Sequence, residues 1–173
     1  LDDWISDDTV FRAREGEEPM DLTGMTSDDE GFIAKAAPGH LWAIGVISLL
    51  WNAFGCYDYV MTQVRDPATM AAMTPETVAY LDAMPTWLTA FWAVGVWGSL
   101  AGSVLLLLRS RHAVTAFVLS LVGLAVSQFY QMATDRPQDM SGTAMVIFTA
   151  IIWGALIAFL WYAIRMKRAR VLR

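Results

Sequence analysis

The chain has 173 residues, of which 56% are hydrophobic and only 17% charged, with a formal net charge of −5. Together with a mean hydropathy of +0.43, this balance points away from an ordinary soluble domain and towards lipid as the solvent. A single cysteine, Cys56, excludes an internal disulfide and any multi-cysteine metal site.

Residues 1–40 read as an acidic tail. They hold eleven acids against three bases, a balance of −8 that leaves +3 for the remainder, so the acidity of the chain belongs to this segment. A stretch of this composition carries too little apolar surface to fold alone. Its apolar side chains gather as Trp4, Ile5, Val10 and Phe11 near one end and Leu22, Met25, Phe32 and Ile33 near the other. These are candidate docking points, and their acidic surroundings suit a basic partner surface. A signal peptide starts basic and runs directly into apolar residues, whereas forty polar, acidic residues come first here, so the first helix is expected to stay as an anchor.

Residues 41–173 read as a transmembrane domain. A bilayer core needs ~20 mainly apolar residues as a helix, and four stretches qualify, at about 41–61, 87–108, 113–132 and 144–163. No alternating pattern of a membrane barrel appears, so the expected fold is an all-α membrane protein built as a four-transmembrane-helix bundle. Between the first two spans, Thr74, Pro75 and Glu76 form a helix start. Val78, Tyr80, Leu81 and Met84 give the following turns an apolar side until Pro85, which predicts a short helix on the outer membrane surface. Residues 133–143 are polar, contain Pro137 and Gly142, and read as a plain connection.

Orientation follows from the basic residues, which cytoplasmic loops retain. Arg109 and Arg111 lie between the second and third spans, and Arg165, Lys167, Arg168, Arg170 and Arg173 follow the fourth. The opposite loops hold only Arg65 and Arg136. The expected topology puts both termini in the cytoplasm of a bacterial inner membrane.

Helices in lipid associate through close backbone approach and a few hydrogen bonds. Small residues at helical spacing therefore mark expected contacts: Gly45, Ser48, Asn52 and Gly55 in the first span, Gly95, Gly98, Ser99, Gly102 and Ser103 in the second, Ala116, Ser120, Gly123 and Ser127 in the third, and Ala150, Gly154 and Ala158 in the fourth. A faint repeat accompanies them. Setting His40 over His112 and Trp97 over Trp153 aligns Ser48 with Ser120 and Gly98 with Gly154, as two parallel helical hairpins would.

The unusual polar residues are Asn52, Tyr57 and Asp58 in the first span and Gln128, Tyr130 and Gln131 in the outer part of the third. A polar group in a membrane interior is costly and hence a functional candidate. Asn52, Tyr57, Asp58, Gln128 and Tyr130 could form an outward-facing polar pocket. The plainer reading has Asn52 tie the first span to a neighbour while Asp58 sits at the outer interface. Trp51, Trp97 and Trp153 fall at mid-span level with Gly123, where their rings are expected to fill a gap. Trp42, Trp87, Trp161 and Tyr162 sit where interfacial anchors belong. His40 and His112 lie at the cytoplasmic edge without further metal ligands. No nucleophile with its base, phosphate loop or nucleic-acid surface is evident, so neither an enzyme nor a cofactor or metal is expected.

Several runs have a familiar character: His40-Leu-Trp-Ala-Ile-Gly-Val-Ile-Ser-Leu-Leu-Trp-Asn-Ala-Phe-Gly, Asp58-Tyr-Val-Met-Thr-Gln-Val-Arg, Trp92-Ala-Val-Gly-Val-Trp-Gly and Leu105-Leu-Leu-Leu-Arg-Ser-Arg. They resemble a family of small alphaproteobacterial inner-membrane proteins often given the label "sugar transporter". The resemblance covers about residues 39–173 and implies no catalytic or binding residues. Two functions are therefore open. One is an accessory subunit of a larger inner-membrane assembly, respiratory or photosynthetic, docked through its helices and tail. The other is a small sugar-type solute carrier acting as a homo-oligomer. Polar groups crowd the outer half, while the inner halves of the second and fourth spans are plain Leu, Ala and Phe, which favours the subunit.

Overall fold

A computed structural model describes residues 37–173, and the proposed docking residues Trp4, Ile5, Phe11 and Phe32 lie outside that range. Seven helices follow in chain order: α1 (Gly39–Gln63), α2 (Pro67–Ala71), α3 (Pro75–Asp82), α4 (Thr86–Leu107), α5 (His112–Ala133), α6 (Gln138–Ser141) and α7 (Thr143–Arg168). Four of them, α1, α4, α5 and α7, are long and apolar enough to cross a bilayer, which makes this a multi-pass, all-α membrane protein.

The long helices pack side by side in the order α1, α4, α5, α7. Antiparallel α4 and α5 approach most closely, and glycine is the reason. A Cβ on Gly123 would lie 2.6 Å from both the Gly95 nitrogen and the Phe91 carbonyl oxygen, so only hydrogen fits between the two backbones. Further along the same seam Gly98 faces the Ser120 backbone and Gly102 faces the ring of Phe117. Ser120 Oγ donates to the Gly95 carbonyl at 2.5 Å, a hydrogen bond with no competing water in lipid. On its other side α4 presents Ser99 and Ser103 to α1, and Gly45 of α1 is covered by the Leu107 side chain. One helix thus carries two small-residue faces, glycines towards α5 and serines towards α1.

The fourth long helix is held differently. Gly154 has open space where a Cβ would be, so the contact expected there does not form. Residues 143–148 of α7 are all exposed. α7 meets the others mainly at its C-terminal end, in an apolar cluster that includes Leu41, Leu106, Phe117, Ala163 and Met166. The residues after α7 complete this cluster. Val171 and Leu172 are buried beneath the α4–α5 turn, the Arg111 N–H donates to the Arg173 carbonyl, and the Arg173 N–H donates to Arg109, each at 2.6 Å. The start of α1, the α4–α5 turn and the C-terminal segment therefore share one end of the molecule, which for residues 37–173 holds seven basic side chains and none of the acids.

Three helices stop in the same way. Arg65, Arg109 and Arg170 adopt φ of 55°, 58° and 56° just past the ends of α1, α4 and α7. In each case the next N–H reaches back to a carbonyl in the last turn: Asp66 to Met61, Ser110 to Leu105 and Val171 to Met166. This left-handed stop usually takes glycine. Arginine accepts the strain and sets a cation at the negative end of the helix dipole.

The opposite end is capped by the short helices. Thr74 caps α3 by accepting from the Thr77 N–H, as its sequence indicates. Asp66 caps α2 in the same manner, with Pro67 in the first turn. Residues 133–143 are more than a connection, because they contain α6, whose Asp139 accepts hydrogen bonds from Thr77 Oγ1 at 2.6 Å and Thr74 Oγ1 at 3.0 Å. Tyr80 and Thr134 hydroxyls meet at 3.1 Å, and Arg65 pairs with Asp82.

Candidate functional site

The five residues considered as an outward polar pocket are not brought together. α4 stands between α1 and α5, so Asn52 and Gln128 face different partners. Asn52 is 8% exposed and lies in a serine cluster, where its amide donates to Ser103 Oγ at 2.8 Å, to the Ser99 carbonyl at 3.3 Å and to Ser48 Oγ at 3.4 Å. Ser48 and Ser103 hydroxyls meet at 2.6 Å, and Ser103 Oγ donates back to the Ser99 carbonyl at 2.9 Å. The cluster joins α1 to α4. Spacing of 48, 52 and 56 on α1 against 103, 99 and 96 on α4 continues it to Cys56, whose Sγ contacts the Val96 carbonyl at 3.3 Å.

Tyr57 and Asp58 point away from that seam and are exposed. Tyr130 stacks edge-on against Trp87 with centroids 5.7 Å apart, and Gln128 is half-buried on α5. The mid-span tryptophans do not fill a gap beside Gly123. Gly123 is filled by the α4 backbone itself, while Trp51 and Trp97 turn outward at 37% and 48% exposure. Trp42, Trp87 and Trp161 are exposed, as membrane-interface anchors are.

Two features were not found from sequence. The first is the bond of 2.6 Å between His40 Nδ1 and the Tyr162 hydroxyl, which ties the start of α1 to the end of α7 across 122 residues. Both residues stood out individually, one as an edge histidine and one as an anchor, but no spacing rule links them. The second is a cavity of about 90 Å³ at the capped end. Its apolar wall comes from Leu81 of α3, Met84 just after it, Leu88 and Trp92 of α4, and Met140 of α6. Ser127 and Gln131, one turn apart on α5, supply its polar side. Ser127 is 6% exposed, and its hydroxyl is buried without a hydrogen-bond partner, in contrast to Ser120 two turns earlier.

At the basic end, Trp161, Ile164, Arg165 and Arg168 line an open groove along α7. The Arg165 guanidinium lies 5.5 Å from the Trp161 ring centroid, a cation–π contact between side chains one turn apart. Among the described residues, no three His, Cys, Asp or Glu side chains come together as metal ligands would.

Compared with known proteins, the chain matches no family model, no curated protein and no solved structure. Fold and site geometry alone define it as a multi-pass helical membrane protein with three helices joined by two tight seams, a loosely held fourth helix and two chemically different ends.

Proposed function

We propose that this protein is a structural, accessory subunit of a larger inner-membrane assembly of the respiratory or photosynthetic kind. In this reading α7 and the outer face of α1 contact neighbouring subunits, and both termini are cytoplasmic. The observation that carries the reading is α7. Residues 143–148 are exposed and include Met145, Val146, Ile147 and Phe148, an apolar surface that no other helix among the described residues covers. Helices in lipid gain little from apolar burial alone, so a four-helix protein whose last helix is half detached is better suited to completion by another membrane protein than to independent action. Placing the end with seven basic residues in the cytoplasm follows the rule that inward loops retain positive charge.

The carrier alternative draws less support. A carrier needs polar groups lining a route between the two membrane faces, but the polar groups of α1 and α4 bond one another inside a helix seam. The cavity is mostly apolar and confined to one end. Purification in mild detergent followed by mass spectrometry tests the proposal. The expected result is stoichiometric recovery of other membrane subunits, reduced when Ile147 and Ile151 are changed to tryptophan. Recovery as a lone chain under those conditions would overturn the subunit reading, and saturable binding of a labelled sugar would favour the carrier.

A further inference from the structure

The cavity at the capped end is not explained by helix packing. Every other buried serine hydroxyl in the transmembrane helices has a partner: Ser48, Ser99, Ser103 and Ser120 all bond a carbonyl or a side chain. Among these, Ser127 alone is buried and unpartnered, and it lies on the wall of a cavity that Gln131 also lines. Burying a hydroxyl without a partner is unfavourable, which leaves an unmet hydrogen-bonding demand at this place.

The chemistry of the lining restricts what could meet it. None of the seven lining residues is charged, so the occupant is neutral. A serine hydroxyl and a glutamine amide each both donate and accept, a pattern that a hydroxyl matches because it too does both. The remaining wall is apolar, and Met84 and Met140 are unbranched side chains that adapt to the shape against them. The volume is about 90 Å³. That admits the leading end of a molecule rather than a whole one, and the cavity is open on one side.

We propose that this cavity binds the hydroxyl end of a neutral amphiphile, with Ser127 and Gln131 holding the hydroxyl and Leu81, Met84, Leu88 and Trp92 enclosing the first carbons of its apolar body. The site does not depend on the subunit reading, because its walls come from α3, α4, α5 and α6 and leave the free face of α7 untouched.

The test uses the full chain in phosphatidylcholine nanodiscs and a diazirine-bearing octanol as photoaffinity probe, with labelled residues mapped by mass spectrometry. Saturable labelling is expected around Met84 and Met140, suppressed by unlabelled 1-octanol and not by 1-methoxyheptane, which cannot donate a hydrogen bond. Ser127→Ala keeps the shape and removes the hydroxyl, and is expected to weaken the probe about 5-fold. Met84→Trp fills the space and is expected to abolish labelling, with circular dichroism checking that it folds; if it does not, Ser127→Ala decides. Competition by diacylglycerol added to the nanodisc assigns the occupant to the membrane, whereas competition by free octanol alone assigns it to a soluble alcohol. Equal labelling of wild type and Ser127→Ala, equal competition by the ether, or no saturable labelling because the cavity holds water only would each overturn the proposal.

Discussion

The α1–α4–α5 layer and α7 are all built of helices apolar enough to cross a membrane, α7 the most apolar of them, yet they are held by different means. In the apolar windows of α1, α4 and α5, 28%, 22% and 28% of residues are buried inside the chain, against 6% for α7. The layer closes through backbones that touch at Gly95 and Gly123 and through hydroxyl and amide groups that bond in pairs. α7 has neither device along most of its length and depends on one end, where His40, Tyr162 and the buried C-terminal residues gather. The difference teaches that apolarity puts a helix in the membrane but does not give it a neighbour. Small residues and polar pairs do that.

Glycine substitutions break the comparison most sharply. Gly123→Leu would drive side-chain carbons into the Gly95 nitrogen and the Phe91 carbonyl, which are backbone atoms and cannot rotate away. The cost is expected to be ~3 kcal/mol or more, the upper part of the range for overpacking. Gly154→Ala meets nothing within 4 Å and is expected to change stability by less than ~1 kcal/mol, in the stabilising direction because alanine is the better helix former. Unfolding by sodium dodecyl sulfate in mixed micelles measures both. Equal losses at the two positions would show that α7 is packed as tightly as α5.

The polar seam comes next. Asn52→Leu removes the amide that joins Ser103 and Ser99 to α1 and is expected to cost ~0.6 to 1.7 kcal/mol in the same assay, from the average to the maximum found for interhelical hydrogen bonds in a membrane protein. Tyr162→Phe deletes only the bond to His40 and is expected to cost ~0.6 kcal/mol. Its more telling effect is on α7 alone. A pair of cysteines at the α1 and α7 ends should cross-link more slowly in Tyr162→Phe, whereas a pair across α1 and α4 should be unaffected.

What was legible beforehand follows the same division. The four long helices could be read because a bilayer demands an apolar length, and the α4 seams because Gly98, Gly102, Ser99 and Ser103 recur at helical spacing. Thr74 before Pro75 and Glu76 announced α3 through capping chemistry that is local in sequence. Ala150, Gly154 and Ala158 had the same appearance on α7 but no backbone to meet, since a small residue permits an approach without causing one. Trp51 and Trp97 were misplaced for a related reason: mid-span depth is visible in the sequence, whereas the side of the helix depends on which partner claims the opposite face. The His40–Tyr162 bond, the fold-back of Val171 and Leu172, and the cavity beside Ser127 depend on several elements meeting, and no local pattern encodes that.

The smallest predicted effect lies at the capped end, outside the spans, and turns on pH. The Asp139 carboxylate is held below its ordinary pKa by the hydroxyls of Thr77 and, less strongly, Thr74, opposed in part by desolvation. A depressed folded-state pKa means that the contribution is fully present above the unfolded value of about 3.9 and is lost as pH falls through the lower folded value. Asp66 is shifted the same way by the Thr69 N–H and hydroxyl, so the whole cap should loosen on acidification. Asp139→Asn separates the two. Its thermal midpoint should lie below that of the wild type at pH 7 and approach it as pH falls through the lowered folded-state value, because protonation then removes the same negative charge from the wild type. Since both threonines belong to the α3 side and Asp139 precedes α7, the contact tethers the N-terminal end of α7, whose first residues are otherwise exposed. Protease access between Gly142 and Thr143 should therefore rise in the variant at pH 7, while the α1–α4 cross-link stays unchanged. If the midpoint difference showed no decline as the pH was lowered, Asp139 would be acting through its shape in α6 rather than through its charge.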